Sequence, residues 1–406
     1  MQPLELLSPA GSMEALRAAL RFGADAVYVG GPCLQLRAGA AGFSMDALAD
    51  AAKEVHARGK KLYVTVNAFP TNREIDALGD YAQALLALGA DAAIVADLGA
   101  IAAMRKAAPG LPIHVSTQAN CLNYAAARVY WDMGATRIVL AREMTLDQIA
   151  ELRAKTPTEL ELEAFVHGAM CMAYSGRCLI SAYLTGRSAN RGGCAHSCRW
   201  NYALVEEKRP GEYLPVEEDA GGTTILSSFD LNCLDFLDQI VDAGVTSFKL
   251  EGRMKTPYYV ATVTNAYRRR LDGILAGTAT PESVALLRRE LDAASHRAYA
   301  SGFYFGEMKQ HAPDDGTYLS DCIFVGAVTA RLPGGRIRVE LRNRICDGDA
   351  LEVLSPNAPG LSFPAAHLTD ADGNLIPEAA VPMALYDMDA PDIVEAGDLL
   401  RIRREA

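Results

Sequence analysis

Several patterns that define large classes of protein are missing from this sequence of 406 residues. No run of 18 consecutive apolar residues occurs, which argues against a transmembrane helix. The first twenty residues lack the cationic start, apolar core and cleavage site of a signal peptide, so we expect a cytoplasmic protein without membrane contact. Disorder and fibrous repeats are excluded too, because 50% of the residues are hydrophobic and 22% are charged.

Familiar catalytic and nucleotide-binding motifs are missing as well. None of the seven histidines lies in a His-Glu-x-x-His pattern, which argues against the common zinc metalloproteases. The Gly-x-Ser-x-Gly elbow of α/β-hydrolases is absent, and so is any Gly-x-Gly of a dinucleotide site. The formal net charge, 39 − 50 = −11, argues against broad coating of nucleic acid but leaves room for a local basic surface.

Strand-like apolar runs alternate with amphipathic helical runs along the first two thirds of the chain. The predicted strands are 4–7, 26–29, 61–66, 92–96, 113–116, 137–140, 161–166 and 247–250. The predicted helices include 45–58, 75–88, 231–243, 258–275 and 282–293. Glycines 23, 89, 134 and 244 precede strands, as expected of helix ends in the left-handed conformation. Eight predicted strands that alternate with helices predict an α/β fold, a (β/α)8 TIM-type barrel over residues 1–312, rather than an open doubly wound sheet.

An insertion interrupts the barrel after its seventh strand, and a second domain follows the barrel. The insertion, at about residues 168–222, carries a cysteine cluster and then a polar stretch at 208–222, and loops of this length are commonly functional. Later, Ile337, Val339 and Leu341 alternate with arginines, which is the period of a half-buried strand. We predict a small antiparallel β-barrel-like domain over residues 321–406, with the boundary at 311–320.

Four of the nine cysteines fall within 28 residues: Cys171, Cys178, Cys194 and Cys198. In a reducing compartment such cysteines are not expected to form disulfides. A structural zinc site typically uses two short Cys-x2–4-Cys pairs, and only the last two cysteines are that close. Four thiolates on an irregular loop suit an iron–sulfur cluster, and Gly192-Gly193 would let backbone amides approach the sulfurs. Zinc and buried free thiols remain open as alternatives.

Residues 163–181, EAFVHGAMCMAYSGRCLIS, resemble the signature of the U32 peptidase-like family. Further similarities run along the whole chain: 7–11 (LSPAG), 23–28 (GADAVY), 118–120 (QAN), 141–143 (ARE), 194–200 (CAHSCRW) and 249–253 (KLEGR). Within the family, the resemblance is closest to the branch linked to synthesis of 5-hydroxyuridine in tRNA.

This resemblance implies an RNA-modifying enzyme that hydroxylates the wobble uridine of tRNA without oxygen, with prephenate as co-substrate. It implies a [4Fe-4S] cluster bound by Cys171, Cys178, Cys194 and Cys198, with Cys233 as the alternative fourth ligand. The implied partners are tRNA and a small carboxylate metabolite. Relatives hydroxylate a cytidine of ribosomal RNA or a quinone precursor, so those substrates are alternatives.

The family name also implies a collagenase-like peptidase. A cysteine peptidase would use Cys171 as the nucleophile and His167, four residues earlier, as its base. A thiolate that binds iron is not a free nucleophile, and the sequence supplies no distinctive oxyanion hole. We therefore favour RNA modification over proteolysis.

Polar residues at the carboxyl ends of the predicted strands would surround the mouth of a barrel, where such folds hold their active sites. The candidate catalytic residues are His167, Arg142, Glu143, Glu251 and Arg253, and the candidate substrate-binding residues are Asn67, Gln118, Asn120 and Lys249. The arginines would bind the carboxylates of prephenate. The amide side chains would hydrogen-bond a base edge or a hydroxyl, and the histidine would donate a proton. Salt bridges at the rim and a supporting histidine are the alternatives.

Arginines provide two candidate surfaces for RNA. The run 268–270 lies on a predicted helix, where such a run usually forms a face exposed to solvent. The second domain holds Arg331, Arg336, Arg338, Arg342 and Arg344, some of which would share the outer face of a strand. We expect this face to contact RNA phosphates, with a merely solubilising surface as the alternative.

Overall fold

The computed structural model describes residues 3–36, 42–171, 173–200, 218–219, 222–223, 229–306, 318–356 and 360–404. The predicted boundary at 311–320 and the polar stretch at 208–222 lie largely outside the described residues. No helix in these ranges is long and apolar enough to cross a membrane.

Eight parallel strands form a closed barrel, which confirms the predicted fold class. The strands are β1 (Glu5–Pro9), β2 (Ala26–Gly30), β3 (Lys61–Val66), β4 (Ala92–Val95), β5 (Ile113–Val115), β6 (Ala135–Val139), β7 (Glu161–Ala169) and β11 (Ser247–Leu250). Neighbours pair in chain order from β1 to β7, and β11 closes the ring by pairing with both β7 and β1. Nearly every strand residue is buried, as expected where helices cover a parallel sheet.

Amphipathic helices surround the barrel, and one short helix lies in the insertion at the barrel mouth. They are α1 (Met13–Arg21), α2 (Met45–His56), α3 (Asn72–Ala87), α4 (Leu98–Ala107), α5 (Tyr124–Asp132), α6 (Leu146–Ala154), α7 (Ile180–Thr185), α8 (Leu237–Asp242), α9 (Pro257–Ala276) and α10 (Pro281–Asp292). The four glycines predicted before strands have φ values of +100°, +91°, +89° and +93°, a region that side chains disfavour. That prediction is confirmed.

The insertion rejoins the barrel through a short strand that the sequence did not predict. This strand, β10 (Asp230–Asn232), pairs antiparallel with the end of β7 and parallel with β12 (Tyr299–Ala300). The insertion also contains two strands of two residues each, β8 (Glu218–Asp219) and β9 (Gly222–Thr223). The helix predicted over 231–243 is therefore wrong at its start, because Leu231 belongs to this ladder and α8 begins at Leu237.

A buried ion pair fixes the end of the insertion to the last barrel segment. The Arg297 guanidinium donates to Asp230 Oδ1 from Nη2 at 2.8 Å and from Nε at 3.2 Å. Both side chains are 2% exposed. Since charges this deep are stable only when paired, the contact determines where β10 lies beside β7.

The second domain is an antiparallel sheet domain, as predicted. Its strands are β13 (Cys322–Leu332), β14 (Arg336–Leu341), β15 (Ile345–Cys346), β16 (Ala350–Leu354), β17 (Ser362–Pro364), β18 (Glu378–Ala379), β19 (Leu385–Asp389) and β20 (Leu399–Arg403). Six of them form one sheet in the order β17-β16-β20-β13-β14-β19. In β14, Ile337, Val339 and Leu341 are fully buried and the alternate residues are half-buried, which confirms the period-two pattern.

Aromatic packing and ion pairs hold the second domain against the barrel helices. The ring of Phe324 stacks on Tyr258 of α9, with ring centroids 4.9 Å apart. Arg401, 2% exposed, bridges Glu290 of α10 at 2.8 Å and Glu352 of β16 at 3.0 Å. The domain therefore lies along the outer helices rather than inside the barrel.

Candidate active site

One cavity of about 420 Å³ opens at the carboxyl ends of the barrel strands. Most of the predicted site residues line it: Asn67, Gln118, Arg142, Glu143, Lys249, Glu251, Arg253, Cys171, Cys178, Cys194 and Cys198. The structure thus brings together the predicted cysteines and the predicted mouth residues. Two predicted residues, His167 and Asn120, are not part of the cavity lining.

The four predicted cysteines approach the cavity from the insertion. Cys171 follows directly after β7, Cys178 precedes α7, and the other two flank a short turn around His196. Asn190 supports this loop, because its side chain accepts from the amide of Cys178 at 3.0 Å and donates back to the same residue's carbonyl at 3.2 Å. Four thiols from one irregular segment therefore line a single cavity.

The described side chains form no preformed site for a single metal ion. Within the described ranges, no group of three or more Cys, His, Asp or Glu side chains is close enough to hold an ion. Thiolates on a single zinc all lie about 2.3 Å from it, whereas a cluster of several irons separates its cysteines further. A backbone amide, that of His196, also points at Cys194 Sγ at 3.4 Å. The cavity lining therefore offers four thiols, with a backbone amide that donates to one of them.

Cys233 occupies a different environment from the other candidate ligands. It is fully buried at the start of the turn that leads into α8, outside the cavity lining. Burial raises the pKa of its thiol well above the usual range, which disfavours the thiolate. Cys233 therefore does not share the cavity with Cys198 and the other three cysteines.

Arg142 and Glu251 form an ion pair on the cavity wall. Arg142 Nη2 lies 2.9 Å from Glu251 Oε2, and its Nη1 donates to the carbonyl of Ala169 at 2.8 Å. The guanidinium also stacks on the ring of Phe165, 3.8 Å from the centroid. These contacts hold the cation in place at the mouth and use part of its donor capacity.

Two further cations approach the cavity from β11 and the segment that follows it. Arg253, 9% exposed, donates to Gln35 Oε1 at 2.9 Å, to Thr65 Oγ1 at 3.2 Å and to the carbonyl of Leu36. Lys249 Nζ lies 2.6 Å from Glu163 Oε1 and 4.5 Å from the centre of the Tyr28 ring. Burial lowers the pKa of this lysine, and the adjacent Glu163 carboxylate counteracts that shift. The cavity wall is therefore rich in cationic groups.

Gln118 presents an unsatisfied acceptor at the same site. Its side chain is 8% exposed and lines the cavity, yet Oε1 is a buried oxygen without a hydrogen-bond partner. Leaving such an oxygen unpaired costs about 1–3 kcal/mol, so a ligand donor would relieve the cost. Asn120 Oδ1 is also buried and unpartnered, outside the lining, while Asn67 Oδ1 accepts from the Leu36 amide at 3.2 Å.

His167 is enclosed by aromatic rings rather than exposed at the mouth. It is 1% exposed, and Nδ1 lies 3.4 Å from the hydroxyl of Tyr267. Burial lowers its pKa to about 3, so the imidazole is neutral near pH 7. This placement favours the supporting role over that of a proton donor near neutral pH.

The sequence interpretation missed Ser175, which connects the cysteine loop to the barrel rim. Both its amide and its hydroxyl donate to the carboxylate of Glu143, the hydroxyl at 2.6 Å. Ser175 has a φ of +41°, a conformation that side chains rarely adopt. A serine one residue before a glycine carries no distinctive signal, so only the fold reveals the contact.

The arginines of the second domain are paired with carboxylates. Arg338 contacts Asp387 through two hydrogen bonds of 2.8 and 2.9 Å. The others follow the same pattern: Arg331 with Asp392, Arg336 with Asp389, Arg342 with Glu14 and Glu340, and Arg344 with Glu378. The structure therefore favours a solubilising face over the predicted phosphate contacts.

Two of the three arginines in the run on α9 are also paired, while Arg269 is exposed. Arg268 contacts Asp25 at 2.9 Å and Asp272 at 2.6 Å. Arg270 is buried and contacts Asp238 at 2.9 Å, so the solvated face predicted for this run is wrong at that residue.

Comparison with known proteins agrees with the family signature. A model of peptidase family U32 matches residues 11–313, and a model of the peptidase family U32 C-terminal domain matches residues 320–401. The tRNA hydroxylation protein P of Escherichia coli (strain K12) is 36% identical, over 92% of this chain and 91% of that protein.

Two other relatives have different names. The 23S rRNA 5-hydroxycytidine C2501 synthase of Escherichia coli (strain K12) is 40% identical, over 67% of this chain and 40% of that protein. A protein of Porphyromonas gingivalis (strain ATCC BAA-308 / W83) named collagenase is 35% identical, over 75% of this chain and 74% of that protein.

Proposed function

This chain belongs to peptidase family U32, and on that premise we propose that it is an RNA-modifying enzyme that hydroxylates the wobble uridine of tRNA to 5-hydroxyuridine. The names of two relatives, a tRNA hydroxylation protein and an rRNA hydroxycytidine synthase, support RNA hydroxylation. We propose further that the reaction is independent of oxygen and depends on a [4Fe-4S] cluster and on prephenate.

The observation that carries this proposal is the composition of one cavity. Four cysteines, four cationic side chains and an amide with an unsatisfied oxygen line the same space at the barrel mouth. Few reactions require these three kinds of group in one site. A cluster, an anionic metabolite and a nucleobase would each find complementary groups there.

The cysteines Cys171, Cys178, Cys194 and Cys198 would hold the cluster. When bound, such a cluster exchanges electrons, which hydroxylation without oxygen requires from some redox group. Arg177 would moderate the negative charge of the thiolates, because it lines the cavity beside Cys178 and its guanidinium stacks on Phe69 at 5.2 Å.

The cationic wall would bind the carboxylates of prephenate. Arg142 follows β6, whereas Lys249 and Arg253 belong to β11 and the segment just after it. All three line one cavity, which suits a dianion better than a neutral ligand. Gln118 would bind the base, because its amide offers an acceptor and a donor side by side. Uracil presents the matching pair, the N3–H donor and the O4 acceptor, on its Watson–Crick edge.

The collagenase-like alternative has less support in this geometry. His167 is buried among tyrosines outside the cavity that Cys171 lines, and its nearest polar contact is Tyr267. These two residues therefore do not form the nucleophile–base pair that a cysteine peptidase requires.

Complementation of a deletion strain tests the proposal and the anion site together. The deletion strain should lack 5-hydroxyuridine in bulk tRNA, and the wild-type gene should restore it. Arg142→Ala and Arg253→Ala should each restore about a tenth or less, since a charge-assisted contact contributes about 1.5–3 kcal/mol. Nucleoside mass spectrometry measures the level.

Thermal unfolding of the same variants provides the control, with Arg142→Lys as the variant that keeps the charge. Unchanged unfolding with reduced nucleoside supports a role in ligand binding. A full nucleoside level in both alanine variants would assign the arginines to rim salt bridges.

A further inference from the structure

The cysteine-rich first part of the insertion, residues 168–205, has a charge opposite to that of the whole chain. No aspartate or glutamate occurs between Glu163 and Glu206, whereas this stretch contains four arginines: Arg177, Arg187, Arg191 and Arg199. The formal net charge of the complete chain is −11. A positive segment at the active-site mouth of an acidic protein is complementary to a polyanion.

The same segment exposes large apolar side chains beside the cavity. Leu179 is 76% exposed, Tyr183 is 88% exposed and Tyr174 is 51% exposed. Tyr183 lies one helical turn after Leu179, since its amide donates to the carbonyl of Leu179 at 2.9 Å. Leu179 also lines the cavity, so the exposed face of α7 is continuous with the proposed active site.

Several contacts hold this exposed face in place. Arg191 binds Glu74 at the start of α3, with its Nη2 2.8 Å from Oε1, and donates to the carbonyl of Phe69 at 2.6 Å. On the other side, Ser175 is bound to Glu143. These contacts support the segment at both ends. They already order the exposed aromatic face in the absence of a ligand.

Arg187 differs from the arginines of the second domain. It follows α7 and is exposed, and no carboxylate contact of its guanidinium is found within the described ranges. By contrast, Arg338 is held by both oxygens of Asp387. A phosphate would therefore gain a contact with Arg187 without displacing a carboxylate.

We propose that the exposed face of α7, comprising Leu179, Tyr183 and the adjoining Arg187, is the docking surface for single-stranded RNA. An unpaired base of a tRNA loop stacks on the Tyr183 ring while Arg187 contacts a phosphate, and the neighbouring base enters the cavity. Single-stranded RNA is commonly recognised in this way, by aromatic stacking beside basic residues. The inference rests on the proposed function and relocates the RNA surface from the second domain to the insertion.

Equilibrium binding of unmodified tRNA to the full-length protein tests this surface. Tyr183→Ala should weaken binding by about tenfold, and Tyr183→Phe should bind like the wild type, because stacking requires the ring and not the hydroxyl. Arg187→Ala should reduce the slope of log affinity against log salt by roughly 0.7, the value expected for one lost phosphate contact to a single strand. Arg338→Ala is the matched control and should change neither quantity.

The possible results separate this inference from the proposed function. If wild-type protein binds tRNA and Tyr183→Ala binds equally well, the docking surface is wrong while RNA modification stands. The same holds if Arg338→Ala, rather than Arg187→Ala, lowers the salt slope. If Tyr183→Ala changes only the sedimentation of the protein, the face joins two copies of the chain and the inference is overturned. If wild-type protein binds no tRNA and leaves bulk tRNA unmodified, the proposed function itself fails.

Discussion

Protein purified without oxygen should be brown and contain about four irons per chain, as expected for a single [4Fe-4S] cluster. Cys171→Ala, Cys178→Ala, Cys194→Ala and Cys198→Ala should each lose most of this iron, since a cluster of this type requires four thiolates. The measurements are iron and sulfide content and the visible absorption spectrum.

Cys233→Ala is the matched control for these variants. Its thiol is fully buried outside the cavity, so the substitution should lower the thermal stability and leave the iron content intact. Loss of iron in Cys233→Ala with retention in Cys198→Ala would reverse the assignment of the fourth ligand. Colourless anaerobic protein with stoichiometric zinc would contradict the redox interpretation altogether.

Arg297→Met should destabilise the fold by about 3–5 kcal/mol, because it leaves the Asp230 carboxylate buried without its partner. The pair joins β10, at the end of the insertion, to the last barrel segment, and both side chains are 2% exposed. The free energy of unfolding in urea, measured by circular dichroism, checks the prediction. The double variant Arg297→Met with Asp230→Asn should recover part of the loss, since no unpaired charge remains.

The exposed pair Arg338–Asp387 provides the comparison for that buried pair. Arg338 is 42% exposed in its side chain, so Arg338→Met should scarcely change the free energy of unfolding. A loss of under about 1 kcal/mol in Arg297→Met, no larger than that of a typical surface substitution, would show that the buried pair does not anchor the insertion.

Local patterns were sufficient to predict the barrel. Each strand is a short apolar run, and the glycines that end the preceding helices adopt the left-handed conformation that made them recognisable. The alternation in β14 likewise predicted which residues face the core, because strand side chains alternate between faces.

Contacts between distant residues could not be predicted in the same way. The sequence placed His167 near Cys171, but the tyrosines that enclose it come from residues about one hundred positions later. The carboxylates that pair with the β14 arginines lie on β19, some 50 residues away. Strand β10 has only three residues, too few for any periodic pattern.

We propose that the four-cysteine cavity at the barrel mouth makes 5-hydroxyuridine in tRNA. The most direct test of this proposal is the 5-hydroxyuridine content of bulk tRNA from a deletion strain complemented with wild-type protein, Cys178→Ala or Cys233→Ala. We expect restoration by the wild type and by Cys233→Ala, and none by Cys178→Ala at equal protein level. Full restoration by Cys178→Ala, or an unchanged content in the uncomplemented deletion strain, would contradict it.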